Sequence, residues 1–272
     1  MKSSTPRRIT LVLFVLAAAI GAQVPKTLPD TKDHRFNTKI PTKFSGKMLE
    51  AKTVAGQTFK VYASGDPASK KQILLVHEWW GLNPHIKGLA DQFARLGYRS
   101  FAVDLYGGKY AEKPEEARKL MGAAMEHQDI ILEKLAATVN LARHENPKSK
   151  LGTIGWCFGG GWSLQTAIRH GKDVAACVVY YGQLVTDPKD LSTLRAPVLG
   201  VFAKRDGWIN PEMVGKFEKA MKTAGKKLVV ASYEADHAFA NPSQVRFREK
   251  PARDAWRKTL AFLEAHLTTK NP

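Results

Sequence analysis

Cysteine is nearly absent from this chain, with two in 272 residues, Cys157 and Cys177, and no Cys-x-x-Cys pair. That scarcity excludes a disulfide-built scaffold and a cysteine-ligated zinc fold, and it removes the dithiol signature of redox proteins. Zinc ligation by histidine fares no better. His77 and Glu78 start a His-Glu pair, but the zinc-protease helix needs a second histidine four residues after the first, and that position is Gly81. No metal and no other cofactor is expected. The other histidines show no ligand spacing, so surface or capping roles are the default reading for His34, His85, His127, His144, His170 and His266. Acidic residues are also scarce, 25 against 42 lysines and arginines, which gives a net charge of +17. The basic side chains are scattered and no nucleic-acid-binding motif accompanies them. They read as a solvated surface, and no nucleic-acid partner is expected.

A long hydrophobic run is missing too. Residues 9–20 are apolar apart from Thr10, whereas a membrane-spanning helix needs about 20 such residues. Lys2, Arg7 and Arg8 precede this stretch and Gly21-Ala22 follows it, the pattern of a signal peptide over residues 1–22. A secreted or periplasmic location without a stable membrane anchor follows as the expectation. Residues 23–47, rich in Lys, Thr and Pro, should form an irregular arm. Residues 48–270 suffice for one domain with a buried sheet. No internal repeat is evident, and strand-like and helix-like segments alternate, which predicts an α/β fold with a mostly parallel central sheet flanked by helices. Helices are expected over His85–Leu96, Glu115–Met125, Ile130–His144, Pro211–Thr223 and Ala252–Leu267. The last carries an apolar stripe at Trp256, Leu260, Leu263 and Leu267, suited to packing on the sheet.

What is present concentrates around one cysteine. Gly155-Trp156-Cys157-Phe158-Gly159-Gly160 has the G-x-C-x-G form of a nucleophile elbow, where small residues on both sides let a strand turn sharply into a helix. By itself the match also fits a turn beside an inert cysteine. The polar residues further on favour the elbow. Pro197 to Ala203 is an apolar run followed by Asp206, and Lys227 to Tyr233 is a second strand followed by His237. Nucleophile, acid and histidine in this order, after successive strands, is the arrangement of a hydrolase triad on a parallel sheet. Cys157, Asp206 and His237 are thus the candidate nucleophile, acid and base. A free thiol needs such a neighbouring base, and the tetrahedral intermediate needs N–H donors, one of them from Phe158. Cys177 lies inside a strand and reads as a small buried apolar residue rather than a disulfide partner.

With these residues in view, the chain resembles the dienelactone hydrolase family, the cysteine-nucleophile branch of the α/β-hydrolases. The resemblance covers most of the chain. It rests on four motifs in order: His77-Glu78-Trp79-Trp80-Gly81-Leu82, Asp104-Leu105-Tyr106, the elbow, and Val178-Val179-Tyr180-Tyr181-Gly182. The Cys157 to Asp206 and Asp206 to His237 intervals are similar as well. The family implies an α/β-hydrolase fold and cleavage of a small-molecule lactone or carboxylic ester through an acyl-enzyme. It also implies Trp79 as the second oxyanion donor and Glu78 as the carboxylate that governs ionisation of the resting cysteine. Without the resemblance, Glu78 is equally an ordinary strand-end carboxylate.

Two departures bear on the substrate. Family members that recognise a substrate carboxylate carry an arginine four residues after the histidine, and here that position is Asn241. Arg118, Lys119 or Lys204 are the candidate replacements, and Trp79, Trp80, Trp156 and Trp208 the candidate aromatic lining. Trp80 and Asn241 are the residues expected at the substrate, and a monomer is expected. Two other readings stay open: a broader carboxylesterase or thioesterase, and a non-catalytic exported binding protein on the same scaffold.

Overall fold

The computed structural model describes residues 38–268. The expected signal peptide, residues 1–22, and most of the expected arm lie outside the described residues. The elements are β1 (Lys47–Lys52), β2 (Thr58–Ser64), β3 (Lys71–Val76), α1 (Pro84–Arg95), β4 (Arg99–Val103), α2 (Pro114–Met125) and α3 (Gln128–Glu145). They continue with β5 (Lys150–Trp156), α4 (Phe158–Arg169), β6 (Val174–Tyr180), β7 (Val198–Ala203), α5 (Pro211–Thr223), β8 (Leu228–Tyr233) and α6 (Glu249–Leu267). Among the described residues, eight strands form one sheet in the order β1-β2-β4-β3-β5-β6-β7-β8. β1 and β2 pair antiparallel, as do β2 and β4, and all later neighbours are parallel. This is the expected mostly parallel α/β-hydrolase sheet.

The central strands are buried on both faces, which is why they read as continuous apolar runs. In β3 the pleat sends Ile73 and Leu75 to one side, toward α1 and α6, and Leu74 and Val76 to the other, toward α3 and α4. The stripe on α6 meets the first side, with Trp256, Leu260, Leu263 and Leu267 all buried. Each such side chain contributes about 1.5–3 kcal/mol by leaving water. Helix starts follow local chemistry. Asn83 and Asn210 cap α1 and α5 by accepting from the Ile86 and Met213 amides, and Pro84 and Pro211 follow them.

The last part of the expected arm is irregular but pinned. The Ser45 amide donates to Asp91 at 2.8 Å, the Gly46 amide donates to the Tyr62 hydroxyl, and that hydroxyl donates to Asp91 at 2.7 Å. One histidine departs from its default. His85 is 6% exposed in the first turn of α1, because that turn is covered by the rest of the domain. Burial without a compensating partner pushes its pKa down to about 4.

Candidate active site

The strand order determines where the site lies. From β3 the chain first steps to one side, through α1 to β4, then returns to add β5 on the other, so the order reverses between β3 and β5. Ligand crevices open at such points, beyond the carboxyl ends of the strands. Register brings the loops into line. Val76 pairs with Gly155, so Glu78 and Cys157, each two residues further on, leave the sheet side by side. The next strand contributes as well, with the Cys157 amide donating to the Tyr180 carbonyl at 2.9 Å.

The elbow is held in a conformation that side chains seldom adopt. Cys157 has φ 53° and ψ −118°. Its flanking glycines are needed for lack of room: a Cβ on Gly155 would lie 2.0 Å from the Gly159 carbonyl oxygen, and one on Gly159 would lie 2.2 Å from that of Val76. Two other non-glycine residues among those described have positive φ, Tyr181 at 36° and Ala238 at 66°. Both border the same site, where such strain commonly collects.

The three polar residues of the sequence pattern come together here. His237 Nδ1 donates to Asp206 Oδ2 at 2.6 Å, and the Cys157 side chain lies close enough to the ring to act on its charge. Asp206 is buried, and its Oδ1 also accepts from the Trp208 and Ile209 amides at 2.9 and 3.1 Å. Burial works against its charge, but His237 and these amides outweigh it and hold the carboxyl below its ordinary value. Burial likewise opposes a charged His237, yet the hydrogen bonds to Asp206 and Cys157 and their charges raise its pKa to about 10. The imidazole ring rests 5.1 Å from Tyr181 and 6.3 Å from Trp208, centroid to centroid.

Glu78 is buried, and burial pushes its pKa up to about 7 against the opposing effects of Asn241 and His237. Asn241 was expected at the substrate, but it is buried behind the site. Its amide nitrogen donates to Glu78 Oε2, while its oxygen accepts from the Ser243 amide and hydroxyl. Cys177 is a free, fully buried thiol whose pKa burial raises to about 11, so the two cysteines are unbridged, as expected.

The loop that carries Glu78 and Trp79 has a support that sequence reasoning passed over. Fully buried His77 accepts from the Leu105 amide at Nε2, 3.3 Å, which leaves the proton on Nδ1, where it donates to the Glu78 carbonyl at 2.6 Å. The Gly81 amide donates to the same carbonyl at 3.1 Å. In a trans peptide the N–H points opposite to the C=O. Anchoring the Glu78 carbonyl therefore sets the direction of the Trp79 N–H. The Phe158 N–H, the other group expected to face an oxyanion, begins α4 and has no carbonyl one turn back to bind.

Two cavities of about 500 and 510 Å³ meet at Cys157. The first is lined by Glu78, Trp79, Trp80, Trp208, His237 and Arg246, among others, and the second runs along α4 past Phe158, Trp162, Gln165 and Arg169. Trp156 is not part of the lining. It is buried in the core with its ring 5.6 Å from Tyr180, because its side chain leaves β5 on the sheet face rather than at the strand end. Lys204 is paired with Glu234 at the surface, and Arg118 and Lys119 line neither cavity. Arg246, Arg169 and Trp162, which no sequence signal singled out, take those places.

Taken together, the sheet order and the sharp turn from β5 into α4, with Cys157 at its tip, define an α/β-hydrolase fold. Residues 59–267 match the model of the dienelactone hydrolase family, and the chain belongs to that family. "Protein usf" of Aquifex pyrophilus is 32% identical over 205 residues, covering 72% of this chain and 88% of that protein. A protein of Aquifex aeolicus named as a candidate carboxymethylenebutenolidase is 29% identical, with the same shares covered. Among solved structures, one described as a candidate dienelactone hydrolase from Klebsiella pneumoniae subsp. pneumoniae has a TM-score of 0.68. It is 26% identical and covers 80% of this chain and 98% of that one.

Proposed function

We propose that the protein hydrolyses a lactone or carboxylic ester through an acyl-enzyme on Cys157. The observation that supports this reading is the Asp206–His237 hydrogen bond at 2.6 Å with His237 and Cys157 lining one cavity, beside Trp79, whose N–H we take with that of Phe158 as the oxyanion donors. A charged imidazole beside a thiol favours the thiolate, and the N-terminus of α4 adds to that effect. The thiolate sulfur bonds to the substrate carbonyl carbon and the oxyanion settles on the two N–H groups. As the carbon–oxygen bond breaks, His237 gives its proton to the leaving oxygen. Water then adds to the thioester, His237 takes its proton, the carbon–sulfur bond breaks, and acid and thiolate are released. Glu78, poised near neutrality, is the carboxylate that balances charge beside the resting thiol. Export fits the composition of residues 1–22, and we infer it on that ground alone.

The test is steady-state hydrolysis of a dienelactone, a simple lactone and a nitrophenyl ester, with Cys157→Ala as control. Turnover that falls at least a thousandfold in the variant is expected. Turnover that persists in Cys157→Ala would remove the thiol from the mechanism.

A further inference from the structure

The second cavity is not needed for a small lactone. A compact ring held at Cys157 between the two oxyanion donors fills only a small part of either cavity, and a space of about 500 Å³ is of the size that takes a drug-sized ligand. Direction distinguishes the two. His237 must reach the leaving oxygen, and it lines the first cavity, so the alcohol side of an ester lies there. The acyl side then points into the second. That cavity follows one stripe of α4, from Phe158 through Trp162 and Gln165 to Arg169, positions spaced three, four or seven residues apart on one helix face. Eleven residues of helix span about 16 Å. The stripe is aromatic beside the thiol and polar at its far end, where Arg169 has no carboxylate partner among the described residues.

The rims point the same way. Large apolar side chains are exposed at both mouths: Val245, 96% exposed, at the first, Met125, 39%, at the second, and Trp208, 55%, between them. Soluble proteins leave such groups in water singly, and their gathering at the mouths of two adjoining cavities marks a binding surface. We propose that the substrate is an ester extending to both sides of the thiol, whose acyl arm is apolar near the carbonyl, lies along α4, and ends in an anion at Arg169. This rests on the thiol-hydrolase reading above.

The probes are nitrophenyl acetate, nitrophenyl decanoate and the nitrophenyl monoester of decanedioic acid. The wild-type kcat/KM should be at least tenfold higher for decanoate than for acetate, and the terminal carboxylate should add a further several-fold at low salt. Gln165→Trp and Leu132→Trp, which fill the second cavity from different helices, should each lower the decanoate-to-acetate ratio at least tenfold. Because the ratio is taken within one protein, loss of folded enzyme cancels. Arg169→Gln should abolish the gain from the carboxylate. Equal rates for acetate and decanoate, or a ratio unchanged in both tryptophan variants, overturns the acyl cavity. A carboxylate gain that is missing, or that survives in Arg169→Gln, overturns the anionic end. No thiol-dependent turnover of any of the three would instead overturn the hydrolase reading, and this proposal with it.

Discussion

At the scale of single residues, the site depends on groups that never touch the substrate. His77 is the clearest of these. Neutral, buried and hydrogen-bonded at both ring nitrogens, it holds the peptide whose N–H is the proposed second oxyanion donor. Loss of a whole donor costs about 10²- to 10³-fold in rate. His77→Leu, which leaves that carbonyl held by the Gly81 amide alone, should lower kcat about 10- to 100-fold with little change in KM. His77→Gln keeps one donor and one acceptor and should recover much of that loss. A variant that was merely less stable would lose active enzyme without this split between His77→Leu and His77→Gln, so kinetics corrected for folded protein decide the matter. Asn241 acts through Glu78, which lines the first cavity: the amide partly offsets the cost of a buried carboxylate and keeps its titration near neutrality.

At the scale of elements, the junction of β3, β5 and α4 tolerates no added atoms. A methyl group on Gly159 would meet the Val76 and His77 carbonyl oxygens at 2.2 and 2.4 Å, both of them backbone and unable to yield without separating strand from helix. Gly159→Ala should therefore cost about 1–3 kcal/mol or more and misplace the Phe158 N–H. Gly215, inside α5 with open space around its Cβ position, should respond in the opposite sense. Gly215→Ala should gain about 0.5–1 kcal/mol. Urea denaturation of the two variants gives both signs in one experiment, and a stabilised Gly159→Ala would contradict the close approach. The same junction shows how far sequence patterns reach. β3, β5, β7 and β8 were legible as apolar runs, and helix bounds from capping and periodicity fell within a few residues of those observed.

At the scale of the whole molecule, buried titratable groups set the response to pH. His77 and His85 have pKa values pushed down to about 4 by burial, below the ordinary 6.5. The unfolded chain therefore binds their protons first, and the stability they carry is lost as pH falls from about 6.5 through 4. Glu78 works the other way, since its raised value favours the folded state as pH drops from about 7 toward 4.5. His237, raised to about 10, gives its full contribution throughout that window and loses it only as pH rises toward 10. Two histidines outweigh one carboxylate of similar shift. Thermal denaturation should show Tm falling between pH 6.5 and 4, and His85→Leu should flatten that fall. A Tm that is level or rising toward pH 4 would contradict it.

The sequence by itself determined the α/β alternation, the elbow and the order of Cys157, Asp206 and His237, because each is written in local chemistry: apolar period, small residues at a sharp turn, polar residues at strand ends. Only the tertiary structure decided what faces what. Asn241 and Trp156 look like pocket residues in one dimension, but the loop after β8 folds Asn241 onto Glu78, and the pleat of β5 turns Trp156 into the core. Arg169 and Arg246 look like ordinary surface charges until folding brings each to the rim of a cavity that opens at Cys157. Local propensity is read along the chain. Side-chain direction and long-range proximity arise when separate segments pack, and no spacing along the chain records them.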